Sequence, residues 1–187
     1  MDPFIAHLNA ISPLTAEALK DLSSRFKYTS FKRGEIINQE GTICRRLFFI
    51  NKGLVKHYYI HKDRKFIVRF FSENNVFTVL DSFILQTPAV FTTIAIETTE
   101  ITMLSYEDIE ELCKKHHCFE TIIRKIFGMA ATINLKRIKE MFDGDATELY
   151  ESFIIEYHDL LQRISLGDIA GYLGISQVTL SRIRAKP

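Results

Sequence analysis

The chain has no tryptophan, only four prolines and three cysteines in 187 residues, and almost no excess charge of either sign. Each scarcity excludes something. Three cysteines, an odd number and widely spaced, argue against a disulfide framework and suit a reducing interior. A net charge of +1 gives no global attraction to polyanions, so any contact with nucleic acid has to come from a local patch. No apolar run approaches the length that spans a bilayer. The opening MDPFIAHLNAISPLT lacks both the basic start and the long apolar core of a signal peptide. A cytoplasmic protein with no membrane partner is the expectation. Nor is there a Gly-rich phosphate loop, a G-x-S-x-G elbow or an H-E-x-x-H, so no enzymatic reaction and no catalytic residue is expected. What remains is ordinary globular composition, 47% apolar and 25% charged, with ample material for a core and no internal repeat.

The most informative stretch is residues 164–186, ISLGDIAGYLGISQVTLSRIRAK. It reads as two short helices around a tight turn. Ser165 with Asp168 three residues on resembles a capping box. Leu166, Ile169, Ala170 and Leu173 then share one helical face. Gly174 stops the first helix, Ile175 fills the corner, and Ser176 caps the second. In that second helix Leu180 and Ile183 point inward, leaving Gln177, Val178, Ser181 and Arg182 outside. A small residue at the helix crossing, glycine in the turn and apolar locking positions form the pattern of a DNA-binding helix-turn-helix. The outer face suits a major groove: Gln177 for adenine, Arg182 for guanine, Val178 for a thymine methyl. Ser176, Thr179, Arg184 and Lys186 are placed to hold phosphates. Arg163, Arg182, Arg184 and Lys186 against Asp168 make the segment locally basic. An ordinary helical hairpin is the plainer alternative.

In chain order, residues 13–23 read as a helix started by Ser12 with Pro13 first. From Arg25 the segments become β-branched and aromatic, broken by Gly34, Gly41 and Gly53. Residues 48–50 and 54–60 flank an Asn51-Lys52-Gly53 turn, which predicts a hairpin, and a second hairpin is expected at residues 61–64. Strands near 91–96 and 101–104 close the series, giving an antiparallel sandwich or roll. After Leu104 the pattern turns helical, beginning at Ser105 with acidic residues in the first turns. Residues 119–142 can form one long helix, in which Ile122, Ile126, Met129 and Ile133 make a stripe, widened by Ile123, Phe127 and Ala130, for pairing with a second copy. A helix over 146–159 would be the platform for the final pair.

With roll, long helix and helix-turn-helix in that order, the chain resembles the Crp–Fnr family of bacterial transcription regulators. The likeness rests on Gly34, Gly41 and the run Leu47-Phe48-Phe49-Ile50-Asn51-Lys52-Gly53, on the junction Leu104-Ser105-Tyr106-Glu107-Asp108, and on the terminal helix-turn-helix. It implies an α+β fold: a cyclic-nucleotide-binding-like antiparallel β-roll, a double-stranded β-helix, as sensor over 1–115, a dimerisation helix over 116–143, and an all-α DNA-binding unit over 144–187. The implied function is homodimeric, sequence-specific transcription regulation. The alternative is a roll-based ligand- or protein-binding module that has lost DNA binding. Expected partners are double-stranded DNA, a second copy and a small-molecule effector of unknown identity, with RNA polymerase a candidate further partner.

Two departures stand out. Relatives that bind cyclic AMP hold its phosphate with an Arg-Ser pair, and here Pro88-Ala89-Val90-Phe91 occupies that place. From Phe70 to Cys113 there is no lysine or arginine, so a buried phosphodiester would find a cation only outside that segment, at Arg69 or beyond. Phe77, Leu80, Phe83 and Phe91 suggest instead a filled pocket or one for an apolar or neutral ligand. The second departure is that no β-hairpin wing follows the recognition helix before Pro187. Cys113-x2-His116-His117-Cys118 carries good metal ligands, but its spacing matches no zinc module and only Cys44 remains elsewhere, so no metal and no cofactor are expected. His7, His57, His61 and His158 read as surface residues.

Overall fold

Eight strands in two four-stranded antiparallel sheets make the roll in a computed structural model that describes residues 2–185. One sheet holds β1 (Lys27–Phe31), β8 (Thr99–Ser105), β3 (Arg46–Lys52) and β6 (Val76–Phe77), in that order; the other holds β2 (Ile36–Asn38), β7 (Thr92–Ala95), β4 (Val55–His61) and β5 (Arg64–Phe71). Strand β3 explains why residues 47–50 read as a continuous apolar run. Phe48 and Ile50 face the opposite sheet, while Leu47 and Phe49 face a helical layer outside, so both faces are dry. That layer consists of α1 (Pro3–Ile11), α2 (Ala16–Ser23), α4 (Tyr106–Lys115) and the first half of α5 (His117–Asp143). A short α3 (Leu80–Leu85) lies between β6 and β7.

Several expectations need correction. Asn51-Lys52-Gly53 is not a hairpin. Strand β3 pairs with β8 and β6, β4 with β5 and β7, so the chain crosses there from one sheet to the other. Gly53 permits the crossing: its φ is +110, and an added Cβ would stand 2.6 Å from the Thr99 backbone. The Glu73 carboxylate accepts the Gly53 N–H at 2.7 Å. The expected turn after His61 is present, with Lys62 and Asp63 both at positive φ as a two-residue type I′ turn requires. The first predicted helix starts later, at Ala16 under a Thr15 cap, because Thr15 and not Ser12 accepts the N-terminal amide. Ahead of it stands α1, unforeseen, with Asp2 as cap and Pro3 in the first turn.

After α5 the chain forms α6 (Ala146–Glu156), a 3-10 turn (His158–Leu160), α7 (Leu166–Leu173) and α8 (Gln177–Arg184). A complete capping box at Asp145 and Glu148 starts α6. These helices rest on the roll as well as on α6. Leu54, Ile67 and Phe70 share one core with Leu149, Phe153, Tyr157, Leu160, Ile169, Leu173 and Leu180. A bulge makes this possible: His57 pairs with Arg69 and Tyr58 with Ile67, so Val68 is the extra residue. Ile67 and Phe70, three apart, thereby share the helix-facing side, while Arg69 and Phe71 oppose His57 and Val55 on the inner side. Gly171 lets α7 come close, since a Cβ there would sit 3.1 Å from the Lys65 carbonyl and 3.2 Å from Ile67. Lys56 pairs with Asp168 across this contact, and Arg163 donates to both Glu73 and Glu97. Among the described residues no helix is long and apolar enough to cross a membrane.

Candidate functional site

The final helix pair has the predicted local geometry. Ser165 Oγ accepts the Asp168 N–H, but the Asp168 carboxylate turns to Lys56, so the capping box is half made. Gly174 adopts φ +68, and the Ile175 N–H donates back to the Ala170 carbonyl at 3.0 Å, closing the turn. Ser176 Oγ accepts the Thr179 N–H and fixes the start of α8. Leu180 is buried beneath, and Ser176, Gln177, Val178, Ser181, Arg182 and Arg184 are exposed, with Thr179 half-buried. Val178, at 62% exposure, is an apolar side chain offered to solvent. Neither Arg182 nor Arg184 forms an ion pair among the described residues. Arg163, by contrast, is spent on Glu73 and Glu97, which raise its pKa, so it does not add to the basic face. Lys186, and the expectation of no wing beyond it, lie outside the described residues.

The stripe expected on α5 divides. Ile122 and Ile126 are corrected: they are buried in the chain's own core with Phe4, Leu8 and Phe119, because the roll and α1 cover this half of the helix. Met129 and Ile133 lie past that cover, 49% and 37% exposed, followed by exposed Leu135, Ile138, Met141 and Phe142.

Between the roll and α5 lies a cavity of about 760 Å³. Phe77, Leu80 and Phe91 line it as expected, together with Met129 and Ile133. Phe83 does not; it is buried in the helical core against Tyr106 and Phe127. Its charged lining residues are Arg69 on β5 and Asp81 on α3. His57, expected at the surface, is buried at the cavity wall among Phe71, Phe77 and Phe91. Burial pushes its pKa down to about 4, so the ring is neutral. Its Nδ1 accepts from the Thr93 hydroxyl at 2.8 Å, and Nε2–H donates to the Thr78 carbonyl at 3.3 Å. Periodicity could not show this, because the burial of His57 depends on Thr93, a partner from a distant strand.

The Cys113–Cys118 stretch is the junction of α4 and α5. His116 is buried against the Asp21 carboxylate at 3.1 Å. Burial, with Glu120 beside it, pushes the Cys113 thiol up to about 12.

Residues 28–116 match the family model of the cyclic nucleotide-binding domain. No curated protein matches the sequence. Among solved structures, FixK2 from Bradyrhizobium japonicum aligns at 21% identity with a TM-score of 0.73, over 86% of this chain and 83% of that one. A double mutant of CooA from Carboxydothermus hydrogenoformans aligns at 19% identity and TM-score 0.70, over 95% and 81%. A transcriptional regulator of the crp/fnr family from Eubacterium rectale aligns at 16% identity and TM-score 0.71, over 91% and 82%. The chain thus carries a cyclic nucleotide-binding domain at residues 28–116 and, over most of its length, has the fold of the Crp–Fnr family of transcription regulators.

Proposed function

We propose that the chain is a homodimeric, sequence-specific DNA-binding transcription regulator whose roll responds to a signal other than cyclic AMP. The supporting observation is the outer face of α8, capped by Ser176, anchored by Leu180 and open to solvent at Gln177, Val178, Ser181 and Arg182. In a major groove Gln177 reads adenine, Arg182 bridges guanine O6 and N7, and Val178 touches a thymine methyl. Ser176, Thr179, Arg184 and Lys186 hold phosphates and set the register. One such unit spans few base pairs, so two copies are required, with recognition helices ~34 Å apart on a pseudo-palindromic site. The exposed apolar edge of α5 from Met129 and Ile133 onward supplies the face on which the copies join. Residues 1–115, 116–143 and 144–187 then act as sensor, dimer helix and DNA reader, and RNA polymerase is a candidate further partner.

Cyclic AMP suits this cavity poorly. Its wall is largely apolar at Phe77, Leu80, Phe91 and Met129, so even with its single charge held by Arg69 the hydroxyl-bearing ribose of a cyclic nucleotide would exchange water for an apolar surface. Selection from a random duplex library by the purified protein, with the mass of the complex measured, tests the whole reading. A pseudo-palindromic consensus held by two chains is the expected result. No enrichment at low salt overturns it and leaves a roll-based ligand- or protein-binding module.

A further inference from the structure

We infer that the cavity between the roll and α5 binds a monocarboxylic acid with an apolar body, its carboxylate gripped by Arg69. This deepens the reading of the roll as a sensor and rests on it. Arg69 lies on the inner side of β5 with its side chain only 24% exposed. Its guanidinium lies 5.6 Å from the centre of the Phe71 ring and 3.9 Å from the Glu156 carboxylate, too far for a hydrogen bond. Among the described residues it donates no hydrogen bond, whereas Arg163 donates four. A largely covered fork of five donors without acceptors is costly unless something brings oxygen to it.

The remaining wall narrows the class. His57 has both ring nitrogens engaged by Thr93 and Thr78, so it offers the ligand only an apolar ring face. Phe77, Leu80, Phe91 and Met129 supply apolar surface, and about 760 Å³ is within the usual range for small-molecule sites. One guanidinium balances one negative charge, and two carboxylate oxygens match its planar fork. A phosphate monoester would bring a second negative charge next to Asp81 and Glu156, with no cation left for it. Because Glu156 belongs to α6, an acid bound to Arg69 also draws that guanidinium away from the final helices. Occupancy would thereby reach the DNA-reading unit.

The test is calorimetry on the full chain with octanoate and 3-phenylpropanoate, each against its neutral amide, and with octyl phosphate. The acids should bind about tenfold tighter than their amides, the lower end of what a charge-assisted hydrogen bond contributes. Arg69→Gln should abolish that difference. Glu156→Gln, which removes the competing carboxylate without touching the cavity wall, should tighten acid binding several-fold. Equal binding of acid and amide, preference for octyl phosphate, an unchanged Arg69→Gln protein, or no binding of either acid would each overturn the inference. Duplex selection without ligand separates the two readings: a DNA consensus without acid binding defeats only this proposal, and acid binding without a consensus defeats only the regulator.

Discussion

Phe70 joins the roll to the final helices, and its removal should be the most costly single truncation at that contact. The ring is 1% exposed and is surrounded by Tyr157, Tyr172 and Phe153, with centroids 5.5, 5.8 and 6.2 Å away. Replacing it by alanine removes the transfer free energy of a buried ring and leaves a hole that three stiff aromatic neighbours cannot fill. Such changes cost ~3–5 kcal/mol, and each lost ring contact accounts for ~0.5–1.5 kcal/mol of that. The chain has no tryptophan, so urea unfolding is best followed by far-ultraviolet circular dichroism at one fixed protein concentration. With a slope of ~1–3 kcal/mol per molar urea, the midpoint should fall by more than about 1 M. Ile155→Ala, at a position 81% exposed, should change stability by less than ~0.5 kcal/mol. A loss below ~1 kcal/mol for Phe70→Ala at unchanged slope would mean that the final helices are not held by this core.

Arg182→Ala should relax specificity at one base pair per half-site and cost ~1–3 kcal/mol, read by competition between consensus and single-substituted duplexes; unaltered discrimination would remove Arg182 from base reading. Met129→Asp with Ile133→Asp should convert a dimer to a folded monomer by sedimentation, whereas Ile122→Asp should unfold the chain, because Ile122 is fully buried. A double variant that stays dimeric would place the joint elsewhere. The neutral His57 ring should make stability pH-dependent: its folded pKa, about 4, lies below the ordinary 6.5. Its contribution is therefore intact above pH 6.5 and is lost as pH falls toward 4. His57→Gln should flatten the urea midpoint across that window, and an unchanged slope would assign the loss to other groups.

Local chemistry in the sequence was enough to place the ends of the final helices, because Ser165, Gly174 and Ser176 act on backbone within four residues of themselves. It failed where pairing is remote. Asn51-Lys52-Gly53 has the composition of a hairpin turn, yet the partner of β3 is β8, some fifty residues on, and no turn residue encodes that choice. The same limit applies to the stripe on α5. Its spacing is uniform from Ile122 to Ile133, but the roll and α1 cover only the first part, and periodicity carries no record of where a neighbouring layer stops. His57 reads as a surface residue and is buried, because Thr93 arrives from another strand to satisfy it, as Asp168 does for the neighbouring Lys56.

The unpaired Val68 has an effect out of proportion to its size. It offsets the two-residue rhythm of β5 by one place, so that Ile67 and Phe70 lie toward the final helices while Arg69 and Phe71 lie toward the hollow of the roll. Only one thickness of backbone then separates the two compartments. Deleting Val68 would restore a regular ladder with Ile67 still opposite Tyr58, so the final helices would keep their anchor and only the hollow would lose a side chain from its wall.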